Sequence, residues 1–373
     1  MVKLATYQVK ITSPQTGNVL FIIPLVSSFG IKFSREINAI TPFALTLPYR
    51  AEYEDKLNVD MNPDTIVDIY RTDPDNVLQL EASFLTRTYN RIATENDDRI
   101  IISGLHVNDL LRRRYIDPAD DSVQPNGGYA TKAGESSAVL RAYIREQAAD
   151  LASTDRQTIG LTVPIPSVNS VDIGGNFRYE NLWQEMIKLA NTAQLDIEVQ
   201  HLGNRQFECI ITQFGTNKSA NNISPPYTIF DPDLGNLADP HYSVERKNET
   251  TFLRIQGAGA RTNRTSLELP SASISDSVYN RIEETFDARG TNDDDPYTRY
   301  IDGLKELKNR EKYIQFEGTP LLTTGGAIYR QNWLIGDTVT VRWGQLEKDI
   351  RIRRVDFEAT ENDETLKVNL NNE

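Results

Sequence analysis

One short block occurs twice in this chain. Ala93-Thr94-Glu95-Asn96-Asp97-Asp98 returns as Ala359-Thr360-Glu361-Asn362-Asp363-Glu364, with five of the six positions identical. Upstream, Asp64-Thr65-Ile66-Val67-Asp68-Ile69 resembles Asp337-Thr338-Val339-Thr340-Val341. Both copies keep one order: an Asp-Thr-led strand, an Arg-rich strand, the Glu-Asn-Asp turn and a last strand. The last strands are Arg99 to Ser103 and Thr365 to Leu370. Asn and Asp suit a tight hairpin because they tolerate left-handed backbone and bond to their own main chain. Such a turn alone can arise twice by chance. Matching strands in matching order point instead to a duplicated β domain. The reading predicts that 60–104 and 333–371 share one strand-turn-strand unit, with a longer connection between the first two strands in the first copy.

Around the repeat the pattern is mixed. Tyr7, Val9 and Ile11 alternate with polar neighbours, as do Phe29, Ile31 and Phe33, and Val67 and Ile69. That period of two, broken by turn residues such as Pro14, Gly17, Pro48 and Asn62-Pro63, predicts a small barrel or sandwich over the first hundred residues. Asp120 to Gly134 is polar and Gly-rich and reads as a loop. Helical spacing follows from Ser136 through Leu151, and again from Tyr179 to Thr192, where Leu182, Met186, Leu189 and Ala193 share a face. Leu195 to Val199 and Phe207 to Thr212 read as a hairpin turning at Gly203-Asn204. After Pro225-Pro226 strands return, clearest at Phe252 to Gln256. Helices are predicted at 276–288, with Tyr279, Ile282 and Phe286 as its stripe, and from Pro296, capped by Asp295 and carrying Tyr300, Leu304 and Leu307. Beyond Phe316 the chain reads as strand.

At 373 residues the chain is too long for one ordinary core and allows roughly two to four domains. Its 25% charged and 39% hydrophobic content reads as soluble and globular. The N-terminus reads as lacking a secretory leader. The longest apolar stretch, Val19 to Val26, is broken by Pro24 and too short to span a bilayer. Cys209 is the only cysteine, so no intrachain disulfide forms. Asn217, Asn222, Asn248 and Asn263 match the glycosylation pattern, which without a leader reads as chance. A net charge of -13 argues against a nucleic-acid binder, because affinity for phosphates comes largely from Lys and Arg. The acidic excess suits either solubility or a surface past which DNA slides.

No residue set carries recognisable chemistry, so the expectation is no catalytic, cofactor or metal site. His106, His201 and His241 are scattered and lack paired metal spacing. Gly257-Ala258-Gly259 lacks the third glycine of a dinucleotide loop. Asp231-Pro232-Asp233-Leu234-Gly235 lacks the third donor and closing Glu of a calcium loop. Asp293-Asp294-Asp295 reads as a solvated loop ending in a helix cap. Arg112-Arg113-Arg114 reads as an interface or as a partner for acids. Arg351 and Arg353, alternating with Ile350 and Ile352, should share a strand face. A glycosidase needs only two carboxylates a few Å apart, and 53 acidic residues leave that possibility open.

Several segments resemble the tail-tip (baseplate) hub proteins of siphophages, relatives of the baseplate hub of contractile-tailed phages. In the first domain they are Phe43-Ala44-Leu45-Thr46-Leu47-Pro48 and Gly104-Leu105-His106-Val107, leading to Leu110-Leu111-Arg112-Arg113-Arg114-Tyr115-Ile116. In the second they are Ala138-Val139-Leu140-Arg141-Ala142-Tyr143-Ile144 and Leu182-Trp183. The third carries Leu234-Gly235-Asn236-Leu237, Tyr242-Ser243, Asn248 and Ile255-Gln256-Gly257-Ala258-Gly259, and Asn332-Trp333-Leu334-Ile335-Gly336-Asp337-Thr338-Val339 completes it. These landmarks cover most of the chain in the family's order.

The resemblance implies a mainly β chain with α+β parts: two similar small β-barrels, an α/β middle domain and a helical insertion in the second barrel. The bounds are 1–117 for the first barrel, 118–225 for the α/β domain, 226–262 with 316–373 for the second barrel, and 263–315 for the insertion. It further implies a non-enzymatic virion protein of the tail tip, assembled in the host cytoplasm. As a homotrimer, it would present six barrels to a six-fold tail tube while meeting a three-fold tip. Implied partners are the distal tail or tube ring, the tape-measure protein and a central spike or fibre, with DNA passing without specific binding and no membrane insertion. The chain reads as ending at the second barrel. Two alternatives stay open: the hub of a phage-derived contractile injection particle, and a host-surface polysaccharide-degrading enzyme.

Overall fold

The computed structural model describes residues 5–24, 30–72, 74–95, 97–121, 128–166, 168, 171–222, 226–257, 264–288, 296–321, 328–360 and 363–371, the side chains of 296–298 and 371 excepted. The chain is mainly β. The first part supplies β1 (Tyr7–Thr12), β2 (Val19–Pro24), β3 (Gly30–Glu36), β4 (Pro42–Pro48), β5 (Ile66–Thr72), β6 (Leu78–Ala93) and β7 (Asp98–His106). The middle supplies β8 (Ala130–Glu135), β9 (Leu161–Thr162), β10 (Asp172–Phe177), β11 (Asp196–Gly203) and β12 (Gln206–Thr212). Then come β13 (Ile229–Phe230), β14 (Leu237–Glu245), β15 (Phe252–Gln256), β16 (Ser266–Pro270) and β17 (Glu283–Asp287). The last are β18 (Tyr313–Pro320), β19 (Thr338–Trp343), β20 (Leu346–Thr360) and β21 (Glu364–Asn371). Helices are α1 (Ala51–Leu57), α2 (Asp109–Arg112), α3 (Ser136–Ala148), α4 (Leu182–Ala193) and α5 (Pro296–Asn309).

The repeat is structural. β5-β6-β7 and β19-β20-β21 are the same antiparallel meander. Ala93 faces Asp98 as Ala359 faces Glu364, and both ladders slip at the equivalent place, between Thr86 and Thr88 and between Ile352 and Arg354. A bulge is a specific one-residue insertion that re-aims a strand, so sharing it residue for residue extends the likeness well beyond the turn. The turns match too: the Thr94 N–H donates to the Asp97 carbonyl at 2.7 Å, and the Thr360 N–H to the Asp363 carbonyl at 2.9 Å. Asn96, Glu361 and Asn362, at the turn tips, lie outside the described residues. Outside the meander the copies diverge, since β1 joins β5 antiparallel whereas β13 joins β19 parallel.

Both copies belong to one sheet. Its strands run β14-β18-β21-β20-β3-β4-β7-β6-β5-β1-β2, with β19 and β13 branching from β20. The join is the antiparallel pairing of Gly30–Glu36 with Thr360–Arg354, where Phe33 and Phe357 stack with centroids 4.5 Å apart. One apolar core runs continuously beneath both copies, from Tyr7 to Leu370. A second core lies around α3 and α4 and takes in Val107, Leu111 and Ile116 from the end of the first copy. The Asn181 side chain caps α4 by accepting the Gln184 N–H at 3.2 Å, and Gln194 ends it in left-handed backbone.

Local readings fail where tertiary partners decide. The helix predicted at 276–288 does not form. Glu283–Asp287 is instead strand β17, parallel to β15, while Tyr279 and Val278 are almost fully exposed. Thr285 and Phe286 suit a strand, and the free edge of β15 selects it over a short helical stripe. This part of the chain is therefore mixed: the sheet β16-β15-β17 with α5 packed on it around Leu253, Ile255 and Leu307. The strand read at Phe252–Gln256 forms, but in that sheet rather than in the large one. The loop read through Gly134 gives way at Ala130 to β8, which β10 holds by a full ladder. In the first hundred residues α1 interrupts the strands, burying Tyr53 and Leu57. The predicted cap Asp295 and the cluster Asp293-Asp294-Asp295 lie outside the described residues.

At the first-copy bulge Gly104 faces Thr86, and a Cβ there would stand 1.9 Å from the Leu85 carbonyl oxygen and 2.9 Å from the Phe43 ring. Gly30, at the join, has no atom nearer than 3.9 Å to such a Cβ. Gly104→Ala is expected to cost about 1–3 kcal/mol or more by overpacking, and Gly30→Ala to stay within about 0.5 kcal/mol of the parent. Urea midpoints of the two variants check this, and equal midpoints would refute it.

Candidate functional site

Eight consecutive strands of the large sheet, β14-β18-β21-β20-β3-β4-β7-β6, turn one face to the core and the other outward. On β20 Val355, Phe357 and Ala359 are buried while Glu358 and Thr360 are exposed. Directly opposed residues share a face, so the ladders assign the rest. Lys32 faces Glu358, Ser34 faces Asp356 and Glu36 faces Arg354. Ala44 faces Ser103 and Thr46 faces Ile101. Lys367 faces Asp356, Asn369 faces Glu317, and His241 faces Glu317 from the other side. The outward face is mostly polar and carries both signs of charge, with Ile101 among its apolar members. A shallow groove of about 600 Å³ crosses it at the join, bounded by Lys32, Ser34, Ala44, Ser103 and Asp356.

The cations on this face are neutralised in place. Lys32 lies 2.5 Å from Glu358 and Lys367 lies 2.5 Å from Glu317. Arg354 bonds Asp356 at 2.9 Å and Glu36 at 3.2 Å, and Arg99 lies 3.2 Å from Asp97. The arginine clusters singled out in the sequence also meet acids or carbonyls. Arg112 and Arg113 grip the buried Asp109, Arg113 reaches Asp64 at 2.9 Å, and Arg114 donates to the Arg156 carbonyl at 2.7 Å. Arg351 turns away to the middle of the chain, 2.5 Å from the buried Asp196. The bulge makes Arg353 the extra residue and leaves Arg354 opposite Asn369, an irregularity that strict alternation did not show.

Two buried polar clamps hold the face in shape. Glu81 on β6 accepts Arg35 at 3.1 Å and Arg330 Nε at 2.9 Å, as well as the Tyr329 hydroxyl. Arg35 also reaches Glu198 of β11 at 3.0 Å, so one node ties both copies to the middle of the chain. Near the turn of the second copy, Glu364 receives Arg71 in a fork of 2.7 and 3.0 Å together with the Tyr7 hydroxyl. Burial of the Tyr7 ring and the nearby Glu364 charge push that phenol well above its usual pKa.

The histidines are not brought together. His106 is buried, its Nδ1 accepting the Asn108 N–H at 3.2 Å and its Nε2 lying 3.9 Å from Glu198. His201 sets Nδ1 3.0 Å from both oxygens of the buried Asp68, and His241 sits exposed on the edge strand β14. Among the described residues no group of His, Cys, Asp and Glu could hold a metal. Cys209 is buried, and burial pushes its thiol up to about 12. Asp231 caps a short turn by accepting the Asp233 N–H at 2.8 Å, and Gly235 closes it in left-handed backbone. Gly257 is packed against Arg299 and Thr265, while Ala258 and Gly259 lie outside the described residues.

Burial lowers the His106 pKa to about 4, aided by Arg35 and opposed by Glu198. The unfolded chain therefore binds a proton between about pH 6.5 and 4 that the folded chain refuses. Stability falls through that window by up to about 3 kcal/mol and is constant for this group above and below it. Burial disfavours the Glu198 carboxylate, but Arg35 and His106 outweigh it and hold its pKa below the usual value, so its contribution declines further at more acid pH. Urea unfolding at pH 7.5 and pH 5 is expected to show the loss, and His106→Phe to flatten it. An unchanged pH slope in the variant would refute the assignment.

The fold is shared with known tail proteins. A tail protein from Neisseria meningitidis MC58 superposes with a TM-score of 0.61 at 11% identity, covering 98% of this chain and 97% of that one. The 43 kDa tail protein of prophage MuSo2 from Shewanella oneidensis gives a TM-score of 0.60 at 11% identity, covering 97% of each. A chain of the half-lidded Francisella PdpA-VgrG complex gives 0.53 at 8% identity, over 99% of this chain but 58% of that one. No curated protein sequence matches. The model of the Siphovirus ReqiPepy6 Gp37-like proteins matches residues 33–371, the span that holds both repeat copies and everything between them. The chain belongs to the Siphovirus ReqiPepy6 Gp37-like family.

Proposed function

We propose that this protein is the structural hub of a siphophage tail tip, a homotrimer that adapts a six-fold tail tube to a three-fold tip. The observation that carries the reading is the duplicated meander, matched in register, bulge and turn and fused into one sheet. Three chains with two such units each present six near-equivalent units, and a closed cyclic assembly uses head-to-tail contacts. In this reading the two copies are tube-like β-barrels, bounded at 1–117 and at 226–262 with 316–373, and the eight-strand outward face lines the channel. Its paired cations suit that task. Free Lys and Arg would hold passing phosphates by counterion release, and those on this face are met by carboxylates. The distal tube ring, the tape-measure protein and a central spike or fibre are the proposed neighbours at the tail tip of the virion.

The hub of a protein-delivering injection particle is a second reading, favoured by the fold shared with a chain of the PdpA-VgrG complex. It predicts the same ring with a different cargo. A host-polysaccharide hydrolase is disfavoured because the carboxylates of the outward face are engaged in ion pairs rather than set opposite one another across a cleft. Negative-stain images of the purified protein are expected to show a three-fold ring with six peripheral lobes, and host envelopes incubated with it to release no sugar. A protein that is monomeric within assembled tails, or sugar release abolished by changing one carboxylate, would overturn the proposal.

A further inference from the structure

The two copies of the meander differ in how the long strand is covered. In the second copy the long strand β20 is paired along both edges. Its first half meets β19 and its second half, Arg354–Thr360, meets β3, while β21 fills the other side. In the first copy β6 pairs with β5 through its first half and with β7 on the other side, and the edge equivalent to Arg354–Thr360, residues 88–94, has no strand against it among the described residues. The consequence is visible in an identical residue at the same place: Ala359 is 2% exposed, whereas Ala93 is exposed. Ile92, 37% exposed, and Asn90 lie open on the same segment.

The chain also carries a strand suited to that edge. Phe33 of β3 faces Phe43 of β4, which faces Gly104 of β7. In the second copy Tyr242 of β14 faces Phe316 of β18, which faces Leu370 of β21. Gly104 and Leu370 hold equivalent positions beside the shared bulge. β14 is therefore the counterpart of β3, and it ends the run of strands with its outer edge unpaired among the described residues. One molecule thus has both halves of a second join, at opposite ends of the eight-strand run.

Resting on the trimer reading above, we infer that β6 of one copy pairs antiparallel with β14 of a second copy, repeating between chains the β3–β20 join made within each chain. Carrying that join's register across sets Thr88 opposite Glu245, Tyr89 opposite Val244, Asn90 opposite Ser243, Arg91 opposite Tyr242 and Ile92 opposite His241. Each pairing has compatible chemistry. Tyr89 meets Val244, which is 43% exposed in the single chain. Arg91 meets an aromatic ring where Phe33 and Phe357 stack within the chain. Pro240 ends the ladder because it has no N–H to donate. The pairing gains backbone hydrogen bonds along two open edges, the usual basis of strand addition between chains. Arg87 and Arg91 on one edge and Pro240 on the other are features that deter indiscriminate pairing of the free chain.

Cysteine cross-linking of the full-length protein tests it, because the native Cys209 is buried. Asn90→Cys with Ser243→Cys, treated with a short thiol cross-linker, is expected to give covalent dimers and trimers on denaturing gels. Each single variant is expected to stay monomeric there. Asn90→Cys with His241→Cys is offset by two residues, and is expected to link roughly tenfold less because diagonal neighbours stand farther apart than opposed ones. A trimer by native mass whose double variant links no better than the single variants would overturn the strand pairing while leaving the hub reading intact. Absence of any oligomer by native mass would overturn both.

Discussion

The antiparallel join of β3 and β20 is the contact on which the rest of the architecture depends. It pairs seven residues of the first copy with seven of the second and stacks Phe33 on Phe357 at an interplanar angle of 1°. Burying each ring contributes about 1.5–3 kcal/mol, and the stack adds about 0.5–1.5 kcal/mol. Without this join the two meanders would be separate units, each with an open edge. With it they share one core and one outward face. Every residue of that face is placed by ladders that radiate from β20 and β3.

The buried polar clamps do a different job. Glu81 and Glu364 are almost inaccessible, and each is met by an arginine and a tyrosine hydroxyl from distant parts of the chain. Buried ion pairs add little net stability, because desolvation offsets the attraction. Removing one partner is costly, however, since it leaves a buried charge uncompensated. Such groups specify arrangement more than they stabilise it. Arg330 and Arg35 meet on Glu81 only when the loop before Trp333, strand β3 and strand β11 take up their observed places. The clamp thereby fixes the angle between the two copies and the middle of the chain. The outward face meanwhile keeps Lys32, Lys367, Arg99 and Arg354 paired with carboxylates.

Much of this was legible before any coordinates. The Glu-Asn-Asp turn and its flanking strands located both meanders because turn chemistry and period-two alternation are local properties. The spacing of Leu182, Met186, Leu189 and Ala193 likewise located α4. The stripe Tyr279, Ile282 and Phe286 misled because a short apolar spacing fits a helix or a strand, and only the free edge of β15 decides between them. Helix α1 was missed for the converse reason: seven residues with two buried side chains make too short a pattern. The outward face was not legible, because its pairings depend on strand register between distant segments.

From its sequence alone this protein was bound to be a β-rich, cysteine-poor, acidic chain with a duplicated unit, because composition, alternation and repetition are written residue by residue. Only the tertiary structure decided that β3 of one copy would cover β20 of the other and leave β6 bare. Only it decided that Lys32 would meet Glu358, and Arg71 would meet Glu364, across hundreds of residues. Those partners are set by strand register between segments far apart in the chain. Register is a collective result of core packing and bulges, which no local stretch of sequence contains.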